Sequence, residues 1–208
     1  MARHLRELER VDITRCIAKD LWVRGVPDLD KLAEELGVRP PSLYAHIGGL
    51  DDLRRRLGAR GASELATTLS HAIEGRSGTD ALRALATAYR DYAREHPGTY
   101  AAMQRARDLA GNDDARAAGD AVVRVVLAAL RSYRLEGDEA IHAVRLIRIA
   151  LHGFVTLEAA GGFAMDLSED ETFERLLALL DVGLRQPHVL ESTPTRGKSA
   201  RRDRDRGD

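Results

Sequence analysis

Apolar side chains recur three and four positions apart along most of the chain, which is the spacing of amphipathic helices. The alternation of apolar and polar residues that marks strands is missing, and alanine, leucine and arginine dominate. Glycine and proline interrupt the pattern and set the helix ends. The sequence therefore predicts an all-α fold, with helices over about residues 5–24, 28–36, 40–47, 51–73, 79–95, 98–109, 114–134, 138–160 and 169–185.

The predicted helices fall into two groups, followed by a polar tail. Short helices make up a small N-terminal unit, and the longer apolar helices that follow are enough for a larger domain. Near its end the chain turns polar and lacks an apolar face to bury. We therefore predict three parts: a small helical unit at 1–56, a larger helical domain at 57–187 and a disordered tail at 188–208.

A short helical hairpin over residues 28–47 carries the strongest functional signal. Ala33 is small at the point where two helices cross closely, and Gly37 suits the left-handed backbone of a three-residue turn. Val38 is placed to fill the gap beneath the turn, and Ile47 packs the second helix inward. The outer face of that helix stays exposed, and such a helix fits the major groove of DNA. The hairpin predicts a helix-turn-helix DNA-binding unit.

The same residues resemble the DNA-binding unit of the tetracycline repressor (TetR) family. The matching segments are Leu32-Ala33, Leu36-Gly37-Val38, Ser42-Leu43-Tyr44-Ala45-His46-Ile47 and, in the next helix, Leu53. The resemblance implies a three-helix DNA-binding unit followed by a larger helical domain that binds ligands and dimerises. It implies double-stranded operator DNA as a partner, with recognition contacts at Arg39, Pro41, Ser42, Tyr44, Ala45 and His46.

Two features depart from the family pattern. Leu50 stands where the family commonly carries a phosphate-contacting lysine, and Asp28 and Asp30 lie where the second helix approaches the DNA backbone. These features leave a second interpretation open, a helical ligand-binding or scaffolding dimer whose helix-turn-helix no longer binds DNA. Tyr44 and His46 are also open to two interpretations, as DNA contacts or as packing residues.

The helices predicted at 138–160 and 169–185 are apolar around most of their circumference, which indicates burial on nearly all sides. A capping box, Ser168 with Glu171, marks the start of the second of them. We expect a second copy of the chain to cover one side of both helices, so that two helices from each chain form a four-helix interface. The other interpretation is a core of one chain with broad apolar helices. The candidate residues for the homodimer interface are Ile149, Phe173, Leu176, Leu177, Leu180 and Leu184.

The segment Leu151–Phe163 extends the resemblance to a TetR branch whose C-terminal domain is named for a Trp-His-Gly motif. His152 and Gly153 match this motif, whereas Arg148 stands in the slot of the tryptophan. A polar stripe on this helix consists of Arg145, Arg148, His152 and Thr156. Because buried polar groups need partners, the stripe either faces a ligand cavity or pairs with acidic side chains or carbonyls at the dimer edge.

Aromatic residues and a methionine lie on the two helices that flank Pro97. Such residues usually form plain core, but in the family these helices enclose the ligand, and ligand sites are mostly apolar cavities with a few polar groups. The resemblance therefore implies an unidentified small-molecule effector. The candidate pocket residues are Tyr92, Met103, Arg148, His152 and Phe154.

Composition narrows the class of protein. The chain carries 32 basic and 33 acidic side chains, yet residues 1–60 hold 12 basic against 10 acidic ones, which is compatible with DNA phosphates. The single cysteine, Cys16, lies in an apolar stretch and is interpreted as a buried thiol rather than a redox sensor. No run of about 18 uncharged apolar residues and no signal core is present, which predicts a cytoplasmic protein without a membrane span.

The motifs of common enzyme and metal sites are missing from the sequence. It contains no glycine-rich phosphate loop, no cysteine cluster and no nucleophile elbow. We therefore expect no enzyme, no metal and no cofactor. The helix-turn-helix and the resemblance together imply a bacterial transcriptional regulator, a repressor that a small-molecule effector releases from a palindromic operator.

Overall fold

The computed structural model describes residues 39–44, 47–105 and 113–186, together with Asp30, Ala33, Glu34 and Gly37. The predicted helix at 5–24 and the predicted tail at 188–208 lie outside these residues. Within the described part every regular element is a helix, which confirms the all-α prediction. In chain order the α-helices are α1 (Pro40–Tyr44), α2 (Leu50–Ile73), α3 (Gly78–Glu95), α4 (Pro97–Arg105), α5 (Asp113–Ala129), α6 (Gly137–Ala159) and α7 (Glu169–Arg185).

The predicted ends of α2, α3, α6 and α7 agree with the structure within one residue, whereas the predicted end of α5 was wrong. The sequence pattern predicted a helix through residue 134, but α5 ends at Ala129 and a 3-10 turn follows at Arg131–Tyr133. Arg134 then takes a left-handed backbone conformation, with φ of 56°, through which no α-helix continues. The side chains of Tyr133 and Leu135 still pack against the core, so the apolar pattern extends past the helix end.

α2 is the helix against which α3, α4 and α5 all pack. α3 in turn contacts α6 and α7, which also pack against each other, so that the long helices surround one apolar core. Half of the predicted capping box at the start of α7 is confirmed, because the Glu171 backbone N–H donates to Ser168 Oγ at 3.2 Å, whereas the Glu171 carboxylate pairs with Arg175. The most deeply buried large side chains belong to α2, α3 and α6 and are Leu65, Leu69, Leu82, Leu85 and Leu151.

By length and composition alone, α6 is long and apolar enough to cross a membrane. This is weak evidence, because the core helix of a soluble protein meets the same criterion. One face of α6 contributes Ile147, Leu151 and Phe154 to the core of the chain. The other face carries exposed aliphatic side chains, so α6 is buried by its own chain on one side only.

A buried ion pair joins α3, α6 and α7. The guanidinium of Arg90 lies over the rings of Phe154 and Phe173, 5.0 Å and 4.7 Å from their centroids. Arg90 donates to Glu158 Oε1 at 2.5 Å and contacts Asp170 Oδ1 at 2.7 Å. Its side chain is 7% exposed and that of Glu158 is 9% exposed, so the pair is shielded from water. This single arginine therefore holds three helices in one arrangement.

The charges of this cluster are maintained by hydrogen bonds that outweigh desolvation. Burial by itself lowers the pKa of Arg90, but hydrogen bonds with Glu158 and Asp170 raise it above its ordinary value. Burial raises the pKa of Glu158, but hydrogen bonds from Arg90 and Arg94 hold it below its ordinary value. Arg94, the exposed member, donates to Glu158 Oε1 at 2.6 Å. The pair is therefore ionised in the folded chain.

A second polar cluster fixes the other end of α7. Thr79 Oγ1, at the start of α3, donates to Asp181 Oδ1 at 3.0 Å, and the Tyr133 hydroxyl donates to the same oxygen. Arg185 donates to Asp181 Oδ2 at 3.0 Å and lies over the ring of Tyr133, 5.4 Å from its centroid. α7 is thus held at Asp170 near its first turn and at Asp181 near its last, which sets its rotation about its own axis.

Arg90→Met is expected to lower the free energy of unfolding by about 3–5 kcal/mol, because Glu158 would remain buried without its main partner. The matched variant Arg94→Met removes an exposed arginine from the same carboxylate and should cost no more than about 1 kcal/mol. Urea unfolding followed by circular dichroism, at one protein concentration, compares the two variants. Equal losses would contradict the assignment of Arg90 as the main partner.

Candidate functional site

Ala33, Gly37 and Ile47 have the burial and turn geometry that the helix-turn-helix prediction requires, although Ile47 lies outside the helix that was predicted over 40–47. Ala33 is fully buried and helical, and Ile47 is buried at 5% exposure. Gly37 takes the predicted left-handed conformation, with φ of 64°, and its N–H donates to the Glu34 carbonyl at 3.0 Å. A side chain at this φ would strain the backbone, so glycine is what permits the sharp turn before α1. The short α1 follows this turn.

α1 presents an exposed surface made of predicted DNA-contact residues. Arg39 and Pro41 are exposed, and Tyr44 is 54% exposed. The exposure of Tyr44 favours a contact role over the packing role that the sequence left open. Ser42 lies within α1, whereas Ala45 and His46 lie outside the described residues. Of the six predicted contacts, the structure therefore gives the exposure of three.

The start of α2 displays arginines that the sequence analysis did not select. The Gly48 N–H donates to Asp52 Oδ2 at 3.0 Å, and this hydrogen bond holds the pKa of the Asp52 carboxyl below its ordinary value. Asp52 also pairs with Arg56 at 2.9 Å and with Arg55 at 3.4 Å. The side chains of Arg56 and Arg55 are 62% and 44% exposed, a few residues from α1. The three consecutive arginines at positions 54–56 were the feature of the sequence that could have identified this exposed basic surface.

A close crossing of α2 and α4 centres on Gly61. A Cβ at this position would lie 2.5 Å from Thr99 Cγ2 and 2.9 Å from Met103 Cγ. From α3, the hydroxyl of Tyr92 donates to the Gly61 carbonyl at 3.1 Å. Only a residue without a side chain allows this approach, so α2 is locked to α3 and α4 at one point. Sequence reasoning missed Gly61, because a glycine inside a helix does not reveal which helix approaches it.

A chain of polar groups runs between α3, α4 and α6. The hydroxyls of Tyr89 and Tyr100 are hydrogen-bonded at 2.8 Å, and the Tyr100 hydroxyl lies 2.7 Å from His152 Nδ1. Thr156 Oγ1 lies 3.4 Å from the same nitrogen. Burial raises the pKa of both tyrosines. Burial lowers the pKa of His152, and the nearby charge of Arg148 adds to the effect. At neutral pH this chain of polar groups therefore consists of a neutral imidazole hydrogen-bonded to neutral phenols.

The structure spreads the five predicted pocket residues over three places. Tyr92 and Met103 lie at the Gly61 crossing, and Phe154 is buried against Phe163 and Phe173, with ring centroids 5.0 Å and 4.9 Å apart. His152 is half-buried in the polar chain. Arg148 is exposed on the same helix, and its Nη2 donates to Gln104 Oε1 at 3.5 Å. Only Arg148 and His152 therefore remain as a pair on one side of α6.

None of the five predicted residues lines either of two open grooves that flank α2. A groove of about 600 Å³ lies between α2 and α3, and a groove of about 350 Å³ lies between α2 and α5. The polar lining of the larger groove comes from Arg76, Asp80, Arg83, Thr87 and Asp91. The apolar lining comes only from Ala72, Ala84 and Ala88, so this groove lacks the large aliphatic and aromatic side chains that line most ligand sites.

The structure places most of the predicted dimer residues inside a single chain. Phe173, Leu177 and Leu184 are at most 7% exposed and belong to the core that α3 and α6 share with α7. Leu176 and Leu180 pack partly against the same core. Ile149, by contrast, is 68% exposed. The exposed aliphatic side chains of the two helices are Ile141, Leu146, Ile149 and Leu157 on α6 and Leu179 and Val182 on α7.

Comparison with known proteins identifies relatives over most of the chain. The family model for the tetracyclin repressor-like C-terminal domain matches residues 82–180. The uncharacterized HTH-type transcriptional regulator Rv0681 of Mycobacterium tuberculosis is 39% identical over 157 residues, which is 75% of this chain and 71% of that protein. The uncharacterized HTH-type transcriptional regulator YobS of Bacillus subtilis is 37% identical over 74% of this chain and 78% of that protein.

Solved structures share the fold. The putative regulatory protein SCO4313 superposes with a TM-score of 0.70 at 23% identity, over 86% of this chain and 98% of that one. A protein of unknown function from Rhodococcus sp. RHA1 also gives 0.70, at 26% identity over 88% and 96% of the two chains. The TetR family transcriptional regulator PfmR from Thermus thermophilus gives 0.64 at 20% identity, over 83% and 98%.

Gly61→Ala is expected to lower the free energy of unfolding by about 1–3 kcal/mol, because the added methyl group collides with the stiff, buried side chain of Thr99. Gly119 on α5 is the matched control, since a Cβ there would meet nothing within 4 Å. Gly119→Ala should stabilise the chain by about 0.5–1 kcal/mol through helix propensity alone. Thermal unfolding measures both, and a stabilising Gly61→Ala would show that the crossing is loose.

Stability is expected to fall as the pH drops below 6.5, the ordinary pKa of histidine. The folded chain holds the pKa of His152 below that value, so the unfolded chain binds the proton more readily in this window. His152→Gln should reduce the slope of stability against pH between about 5 and 6.5. Arg148→Gln should reduce it less, because burial is the larger cause. Urea midpoints across this range test both, and an unchanged slope in His152→Gln contradicts the assignment.

Proposed function

The chain belongs to the TetR family of helix-turn-helix transcriptional regulators, and we propose that it binds an inverted-repeat operator as a homodimer and leaves it when a small-molecule effector binds. The operator-binding part of this proposal is supported by the exposed helix α1, which follows the left-handed turn at Gly37. A short exposed helix of this kind is the reading element of helix-turn-helix proteins. We assign DNA binding to residues 1–56 and dimerisation and effector binding to residues 57–187.

DNA contact is proposed on the surface that begins with Arg39 and Pro41 and continues through α1 to Tyr44, all three of which are exposed. The resemblance adds Ser42, Ala45 and His46 to this surface. We further propose that Arg55 and Arg56, exposed on the first turns of α2, contact phosphates in place of the lysine that Leu50 replaces. Their pairing with Asp52 can exchange for phosphate, since surface ion pairs are worth little.

The dimer face is proposed on the sides of α6 and α7 that point away from the core. Ile149, Leu179 and Val182 are each more than half exposed, which is unusual for large aliphatic side chains on two adjacent helices. Covering them with the same surface of a second chain gives an isologous interface with two helices from each chain. This proposal keeps Ile149 from the sequence prediction and replaces the residues that the structure buries in the core.

The effector site is proposed beside the polar chain of Tyr89, Tyr100 and His152, with Arg148 at its outer end. These groups lie where α3, α4 and α6 meet, and α4 also touches α2 at Gly61. A ligand that displaces α4 would therefore act on the helix that starts beside the DNA reader. A coupling of about 1–3 kcal/mol would weaken operator binding roughly 5- to 150-fold. Only a ligand with different affinity for the two arrangements shifts the balance.

Arg39→Ala and Tyr44→Ala are each expected to weaken operator binding about tenfold or more, because each removes an exposed contact at the DNA surface. The operator is first selected from a randomised duplex pool, and affinities are then measured by fluorescence anisotropy. Arg131→Ala is the matched control, since Arg131 is exposed at the far end of the domain from α1. If no duplex is preferred, the ligand-binding or scaffolding dimer without DNA binding is the correct interpretation.

Leu179→Glu is expected to convert the dimer into folded monomers of 22.9 kDa, because it places two like charges in an apolar interface. Light scattering after size-exclusion chromatography gives the mass, and circular dichroism checks the fold. Ala117→Glu, on the exposed surface of α5, is the matched control and should leave the mass of wild type. A wild-type chain that is monomeric at micromolar concentration would refute the dimer proposal.

A further inference from the structure

We infer that α6 crosses the same helix of the second chain at Gly153, so that the two Gly153 residues face each other across the dimer axis. The inference rests on the proposed homodimer and adds the point of closest approach to it. Three observations of the described residues support it. Gly153 has no structural role inside one chain, and exposed aliphatic residues lie near it at the spacing of a seam between two packed helices. None of the residues along this seam is charged.

Gly153 lies inside α6, where glycine costs stability relative to alanine. Its backbone does not take the left-handed conformation that would require glycine, and a Cβ placed on it would meet nothing within 4 Å. Gly61 differs in this respect, because there the neighbouring helix fills the space of a side chain. Within the described residues, therefore, neither backbone geometry nor packing accounts for glycine at 153.

Three of the four neighbours of Gly153 one turn away on the helix surface are aliphatic, and the fourth is the exposed Thr156. Ile149 lies one turn before it and Leu157 one turn after it, with exposures of 68% and 50%. Leu146, at 46% exposure, and Ala150 complete this surface. Positions 146, 150, 153 and 157 are separated by four, three and four residues, the spacing of a seam between two packed helices. Gly153 lies near the middle of the seam.

A second copy of the chain is the occupant that fits this seam. At a two-fold axis each residue meets its own copy, so a charge on the axis would face an identical charge. None of the seam residues is charged, whereas Arg145 and Arg148 lie to one side of it. A glycine at the centre lets the two backbones approach more closely than larger residues allow. The flanking side chains of Ile149 and Leu157 can then pack across the partner helix.

The first test compares Gly153→Leu with Gly119→Leu, a glycine inside α5 that also has open space around it. Sedimentation equilibrium should show that Gly153→Leu raises the dimer dissociation constant about 100-fold or more, while Gly119→Leu changes it less than about threefold. Circular dichroism should show that both variants keep the helical content of wild type. Equal dissociation constants for the two variants overturn the inference.

A second test does not require the fold to tolerate a large side chain at position 153. In a Cys16→Ser background, Gly153→Cys should form a disulfide-linked dimer on mild oxidation, because only cysteines with Cα atoms closer than about 7 Å can be bridged. Gly119→Cys in the same background should stay unlinked. Absence of the cross-link at 153 overturns the inference, even where Gly153→Leu weakens the dimer. A monomeric wild-type chain, by contrast, refutes the proposed homodimer itself.

Discussion

The arrangement of the larger domain depends on the burial of Arg90. Its guanidinium lies over two phenylalanine rings, and its ion pair with Glu158 leaves both charges largely shielded from bulk water. An unpaired charge at this depth would be very costly, so the three helices that supply the partners have little freedom to rotate. Glu158 must point toward α3, and this requirement turns the opposite side of α6 outward. The exposed seam around Gly153 is therefore a consequence of where the arginine is buried.

The same domain is connected to the DNA-reading end through α2. This helix begins at Leu50, after the positive-φ Gly49, and runs into the core that α3 and α4 share. At Gly61, α2 contacts Thr99 of α4 so closely that no side chain would fit on residue 61. A displacement of α4 therefore has a direct mechanical route to α2. The polar chain that ends at His152 includes Tyr100 of α4, the residue after Thr99, and this places a titratable group next to the route.

Local signals in the sequence predicted the helices and the DNA-reading hairpin, because these depend on near neighbours in the chain. The turn at Gly37, the burial of Ala33 and the cap at Ser168 are of this kind. The rotation of α6 and α7 was not predictable, since both helices are apolar nearly all round and periodicity gives no preferred side. Phe173 and Leu184 were assigned to the dimer face for this reason. Arg90 and Glu158, which form the ion pair, lie 68 positions apart, and no local sequence pattern predicts a contact over that separation.

In the proposed complex, two chains joined through α6 and α7 read one inverted repeat. The most direct measurement is the stoichiometry of the protein on its selected duplex, obtained by sedimentation equilibrium with labelled DNA. We expect two chains per duplex, and a duplex cut to one half-site should lose most of the binding. One chain bound per full-length duplex, with equal affinity for a half-site, would contradict it.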